Sequence, residues 1–179
     1  HAFPKQVTPT VFAYSQPLKY PEPAQLAAGV SAITVPDIRW LRCDIKAIAL
    51  LPNVLMRQQA TEQGAAEAIL IRDGHMMEGS ASNIFVVLKG VLVTPRKGPF
   101  ILPGVTRDLA LELARAHGLA CEERAVTESE LRSAEELMLS SSTKELLPIT
   151  RLDGKPVGSG RPGPLHARLH ALYQDYIRD

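Results

Sequence analysis

Two rhythms of hydrophobic and polar positions alternate along this chain. Short apolar runs broken by turn residues make up one of them. EAILIRDGHMMEG predicts a strand, an Asp73-Gly74 turn and a second strand. SNIFVVLKGVLVTP repeats the pattern with Lys89-Gly90 at the turn, and ITRLDGKPVG reads as a further hairpin. ELMLSSS reads as a strand running into a hydroxyl-rich loop, and VTPTVFAY near the start reads as another strand. VSAITVPDIRWL is extended and broken at Pro36, after a proline-rich linker over residues 15–29.

The other rhythm has helical spacing. Leu50, Leu51, Val54, Leu55 and Ala60 predict a helix from Ala47 to Gln63, ended by Gly64. TRDLALELARAHG is an amphipathic helix with Thr106 as candidate N-cap and Gly118 as its stop. Thr127 and Glu130 form a capping-box signature for a short helix. The last helix, PLHARLHALYQDYIRD, sets Leu165, Leu169, Leu172 and Tyr176 on one side. Hairpins with a few packed helices predict an α/β fold of mixed α and β type, not a doubly wound parallel sheet.

Composition narrows the function classes. The 179 residues are 45% hydrophobic and 22% charged, with a formal net charge of +1. That balance gives no reason to expect nucleic acid or an anionic membrane as partner. No apolar run approaches the roughly 18 residues of a membrane span. Two cysteines, Cys43 and Cys121, make no disulfide framework, so a cytoplasmic location is expected.

One stretch does not fit a plain structural reading. DIRWLRCDIKAIALL, residues 37–51, places Lys46 in a segment whose apolar residues call for burial. A buried lysine tends to lose its proton, which makes it an amine nucleophile able to form a Schiff base with an aldehyde cofactor. A lysine in such a segment more often snorkels to the surface or pairs with a neighbour such as Asp44. Three other stretches bear on the choice. In MMEGSASN, an inward Glu78 could hold a proton on a heteroaromatic nitrogen, although a strand-end glutamate is commonly exposed. In ILPGVTRD, Gly104 and the amides of Val105 and Thr106 open a helix, which is either an ordinary start or a phosphate site. In LSSSTKE, Ser140, Ser141, Ser142 and Thr143 are either a solvent loop or the second half of a phosphate cup. Together the four supply an amine, a ring-nitrogen partner and a two-sided phosphate cradle, the set that pyridoxal 5′-phosphate needs.

DIRWLRCDIK, EAILIRDG, EGSASNIF, ILPGVTRD and SSSTKELLPI, in that order, resemble the D-amino acid aminotransferases. These are fold-type IV pyridoxal-phosphate enzymes, related to branched-chain aminotransferases and aminodeoxychorismate lyases. The resemblance covers nearly the whole chain, with DIRWLRCDIK as its most specific part. It implies a barrel-like mixed sheet of hairpins with packed helices. Residues 1–20 would be the last strand of a largely absent N-terminal domain plus a linker, and 21–179 the cofactor-binding domain. It implies Lys46 as the lysine that holds the cofactor, Glu78 as the pyridine-nitrogen partner, and Arg39 near the ring hydroxyl. Leu102 would pack on the ring, while Val105, Thr106, Ser141 and Ser142 would bind the phosphate. His1 would help hold the substrate carboxylate. The implied activity is transamination between a D-alanine-like amino acid and a 2-oxo acid such as 2-oxoglutarate, in a homodimer with no nucleic acid, membrane or metal involved. The alternatives are an L-branched-chain aminotransferase, an aminodeoxychorismate lyase, or a non-catalytic module, against which Lys46 and Glu78 both speak. Without the N-terminal domain the chain is expected to fold yet to lack half its pocket. Met77 replaces the threonine or serine common before the glutamate. Lys144 stands where a small residue is usual, adding a charge beside the phosphate cup or simply lying exposed.

Overall fold

The computed structural model describes residues 2, 4–18 and 20–178. The proline-rich linker contains a short helix, α1 (Pro23–Ala28), ahead of strand β1 (Val30–Pro36). An irregular stretch leads to helix α2 (Leu51–Glu62) and the hairpin of β2 (Glu67–Arg72) and β3 (His75–Gly79). A second hairpin, β4 (Asn83–Leu88) and β5 (Val91–Thr94), precedes helix α3 (Val105–Ala116). Strands β6 (Cys121–Glu123) and β7 (Val126–Thr127) and helix α4 (Glu128–Arg132) follow. The chain continues through β8 (Glu136–Ser141), β9 (Glu145–Leu152), β10 (Lys155–Pro156) and α5 (Pro164–Arg178).

The strands form one mixed sheet in the order β6-β5-β4-β8-β9-β1-β2-β3-β7, with β10 beside β9. It curls into a half-barrel. Strand β1 runs parallel to β2 and β9, and β5 parallel to β6, while the other pairs are antiparallel. Three turns place consecutive residues in the left-handed region: Asp73 and Gly74, Lys89 and Gly90, Asp153 and Gly154. That geometry matches the twist of the flanking strands and closes each hairpin in two residues.

Apolar side chains fill both faces of the sheet. Ile84 and Val86 of β4 join Ile69, Leu137, Leu139 and Ile149 on one face. Phe85 and Val87 point the other way, against Ala110 and Leu111 of α3 and Leu169 and Tyr173 of α5. Met56 and Ala60 of α2 cover Ile33, Val35, Ala68 and Leu70. Burial on two faces is why the strands read as unbroken apolar runs with no polar alternation.

Four expectations change. No strand forms over residues 7–14, where Val11 and Phe12 are exposed and no neighbouring strand offers hydrogen bonds. Helix α2 starts at Leu51, four residues later than the apolar spacing predicts. Pro52 has no N–H to donate and therefore sits in the first turn. Helix α3 is capped by Gly104, with Thr106 already inside its first turn. In α5 the buried stripe is His166, Leu169 and Tyr173, and Tyr176 is exposed. The box at Thr127 forms as predicted: its Oγ1 accepts the Glu130 amide at 3.2 Å, and Glu130 Oε2 accepts the Thr127 amide at 2.9 Å.

Phe85 is fully buried where α3 and α5 meet the sheet. Phe85→Ala should therefore lower unfolding free energy by about 3–5 kcal/mol, measured by urea denaturation.

Candidate active site

A cavity of about 800 Å³ opens among the irregular stretch after β1, the ends of β3 and β8, and the start of α3. Arg39, Lys46, Glu78, Leu102, Val105, Thr106, Ser141 and Ser142 all line it, though they come from four separate stretches of sequence. His1 lies outside the described residues.

Glu78 is buried at the end of β3, and each of its oxygens has partners. Oε1 pairs with Arg39 Nη1. Oε2 accepts the Leu102 amide at 3.0 Å and Asn83 Nδ2 at 3.1 Å. Asn83 Nδ2 also donates to the Leu102 carbonyl at 2.8 Å, so it ties the carboxylate to the loop before α3. Burial disfavours the charged carboxylate and raises its pKa to about 7, against the opposing pull of the Arg39 cation.

Arg39 is itself held from behind. Its Nε donates to Asp37 Oδ1 at 2.9 Å and its Nη2 to Asp37 Oδ2 and the Phe100 carbonyl, both at 3.0 Å. Arg72 Nη2 meets the same Asp37 Oδ2 at 3.0 Å, and its guanidinium stacks 4.7 Å above the Phe100 ring. Burial works to raise the Asp37 pKa, but the Arg39 hydrogen bonds and the two cations outweigh it and keep it below the usual carboxylate range. Arg39 is desolvated too, which disfavours its charge, yet Asp37 and Glu78 together hold it firmly protonated.

Lys46 is not buried, contrary to the reading of its apolar surroundings. Residues 37–50 contain no helix or strand, and Lys46 is exposed at the lip of the cavity. Its neighbours Ile45, Ile48 and Leu50 are exposed with it, Ile48 to 98%. The run is apolar, but among the described residues nothing covers it. Arg39 and the Cys43 amide, which donates to the Pro99 carbonyl at 2.7 Å, anchor the segment to the loop ahead of α3.

The far wall of the cavity is built for an anion. Because α3 begins at Gly104, the amides of Val105 and Thr106 have no intrahelical acceptor, and the helix dipole adds to their pull. Gly104 is required there, since a Cβ would overlap Asn83 Oδ1. Opposite stand Ser141 and Ser142, with the Ser141 hydroxyl accepting the Lys144 amide at 3.1 Å. The hydroxyl of Ser140 is buried beside them, without a partner among the described residues.

Residues 2–152 match the model of the amino-transferase class IV family. The chain belongs to that family. It is 46% identical over 177 residues to a D-alanine aminotransferase of Bacillus licheniformis, covering 99% of this chain and 62% of the relative. A D-alanine aminotransferase of Listeria innocua is 43% identical over 153 residues, covering 86% of this chain and 53% of the relative. The chain thus spans roughly three-fifths of the length of the curated relatives it matches. Among solved structures, the branched-chain amino acid aminotransferase of Thermobaculum terrenum in its PLP form superposes with a TM-score of 0.83 at 32% identity. That match covers 93% of this chain and 56% of the other.

Several polar residues around the cavity were not singled out in the sequence. Asp37 and Asn83 orient Arg39 and Glu78, yet both read as ordinary loop and strand-end polar residues. Glu67 opens β2 fully buried, accepting the Ala68 amide at 3.0 Å, the Ser80 amide at 3.1 Å and the Ser82 hydroxyl at 2.9 Å. Arg57 lies 3.3 Å from Oε1 of Glu67, and Lys144 Nζ lies 3.7 Å from its Oε2. Lys144 is therefore half-buried beside the serine turn and faces Glu67, not simply exposed. Burial lowers its pKa and Glu67 works against that.

Arg39→Gln removes the charge that opposes burial at Glu78. The Glu78 pKa should then rise further above about 7, read by an NMR titration of its side-chain carboxyl carbon.

Proposed function

We propose that residues 21–179 are the cofactor-binding domain of a pyridoxal-phosphate-dependent aminotransferase that moves an amino group between a D-alanine-like amino acid and a 2-oxo acid. Residues 4–18, which form no strand, are read as a lead-in to that domain. The observation that carries the proposal is the convergence on one cavity of Lys46, a buried Glu78 and the free amides and hydroxyls of the far wall.

The residues fit the cofactor. A buried hydroxyl at Ser140, unpartnered among the described residues, and a helix start whose Gly104 cap brings no side-chain acceptor answer a phosphate monoester. Pyridoxal phosphate, when bound, supplies an aldehyde for condensation with amines and a ring that accepts electrons from the substrate Cα. Lys46 Nζ would hold the cofactor's aldehyde and would serve as the base for the substrate Cα proton. Glu78 would keep a proton on the ring nitrogen, which its position at the floor of the cavity and its two N–H donors support. Arg39, clamped by Asp37, would present a fixed donor toward the ring hydroxyl. Leu102 would pack on the ring, and Val105, Thr106, Ser141 and Ser142 would take the phosphate.

Preference for a D-amino acid is supported by identities of 38–46% to D-alanine aminotransferases. The branched-chain L-aminotransferase reading rests on structural neighbours at 27–32% identity. The same reading extends to a homodimer and, from the free thiols of Cys43 and Cys121, to a cytoplasmic location. Among the described residues no helix is long and apolar enough to cross a membrane.

Borohydride reduction after incubation with pyridoxal phosphate should leave a phosphopyridoxyl mass on the Lys46 peptide alone. Labels spread over surface lysines would sink the assignment. In the intact protein, Glu78→Gln should keep the cofactor but slow transamination by about 100-fold or more, the usual effect of losing a preorganised charge partner. Turnover of D-alanine and not L-leucine would decide between the two substrate classes.

A further inference from the structure

The turn carrying Ser141 and Ser142 has an unusual residue at its far end. Ser141 pairs with Glu145 across β8 and β9, leaving residues 142–144 as a three-residue loop. Glu145 then takes φ +53, the left-handed position that glycine ordinarily fills in such loops. A buried glutamate is a poor choice for that backbone unless its carboxylate is needed. The carboxylate has a direct partner on α5, since Gln174 Nε2 donates to Glu145 Oε2 at 2.6 Å.

The other groups around Glu145 leave that hydrogen bond as its principal tie. His170 Nε2 lies 4.0 Å from the same oxygen, and the His166 ring stacks on His170 with centroids 5.7 Å apart. Burial lowers the pKa of both imidazoles, which favours their neutral forms. His166 is fixed separately, through its Nε2 contact of 3.1 Å with the Leu146 carbonyl. One residue before Gln174 on the same helix, Tyr173 packs into the cluster beneath α3 and lies against Thr106, at the opposite wall of the anion site.

The geometry points to α5 as a brace for the anion site. Gln174 holds Glu145 in its left-handed conformation and so fixes the hydroxyls and amides of residues 141–143 against the start of α3, which Tyr173 supports from the same helix. Neither residue lines the cavity, so both are positioning residues for a phosphate monoester, and the inference rests on the pyridoxal-phosphate reading. A turn chosen only for its shape would welcome glycine at 145, whereas a brace would not.

The test compares wild type, Gln174→Ala and Glu145→Gly in two measurements on the same preparations. Affinity is titrated with pyridoxal phosphate and with pyridoxal, which lacks the phosphate. Both variants should weaken pyridoxal phosphate by roughly tenfold, the effect of losing one charge-assisted hydrogen bond, and leave pyridoxal unchanged. Amide hydrogen exchange without cofactor should quicken at residues 141–145 and not across the sheet. Unchanged exchange at that turn, or a loss spread evenly over both ligands and the whole molecule, overturns the brace. If wild type fails to distinguish pyridoxal phosphate from pyridoxal, the cofactor reading falls, and the exchange measurement still decides whether α5 holds the turn.

Discussion

Burying the Glu78 carboxylate is the constraint on which the site's construction depends. An unpaired carboxylate in that position would be strongly disfavoured, so the chain must bring donors to it from elsewhere. They come from Arg39 after β1, from Asn83 at the start of β4 and from the Leu102 amide before α3. Each donor fixes the segment that carries it, and those segments are the walls of the cavity. Arg39 in turn requires Asp37, and Asp37 engages Arg72, so two carboxylates and two guanidiniums close into a balanced cluster. Such a cluster is weak evidence of stability, because desolvation offsets much of the attraction. Its effect is positional. It holds irregular backbone in one arrangement where no strand or helix could.

That division explains what the sequence could and could not show. The sheet was legible because its strands are buried on two faces and punctuated by turns such as Asp73-Gly74, whose left-handed backbone the structure shows. The anion-site residues were legible because glycine before a helix and clustered hydroxyls have a local physical meaning. The burial expected of Lys46 did not follow from its apolar surroundings. An apolar run says that a segment wants cover, not that the described residues provide it, and residues 37–50 lie open at the cavity lip. Asp37, Asn83 and Glu67 were missed because their role is to satisfy a partner distant in sequence, and no spacing pattern announces that.

The helix ends show the same limit on a smaller scale. Thr127 caps α4 because its partner Glu130 is three residues away, within reach of local rules. At α3 a threonine was equally available, yet Gly104 takes the cap. The choice is made by Asn83, which approaches Gly104 so closely that any side chain there would displace it. A tertiary contact therefore overrides a local preference.

That contact also joins the two halves of the cavity. Asn83 touches Gly104, where the free amides of α3 begin, and donates to Glu78, which lines the same cavity. A residue at 104 larger than glycine would push Asn83 off the carboxylate, so the anion end cannot be reshaped without loosening Glu78. The distance between an anion at the α3 start and a group at Glu78 is thus set by one packed amide. A rigid ligand with a phosphate at one end and a ring nitrogen at the other is the kind of molecule for which such a fixed separation matters.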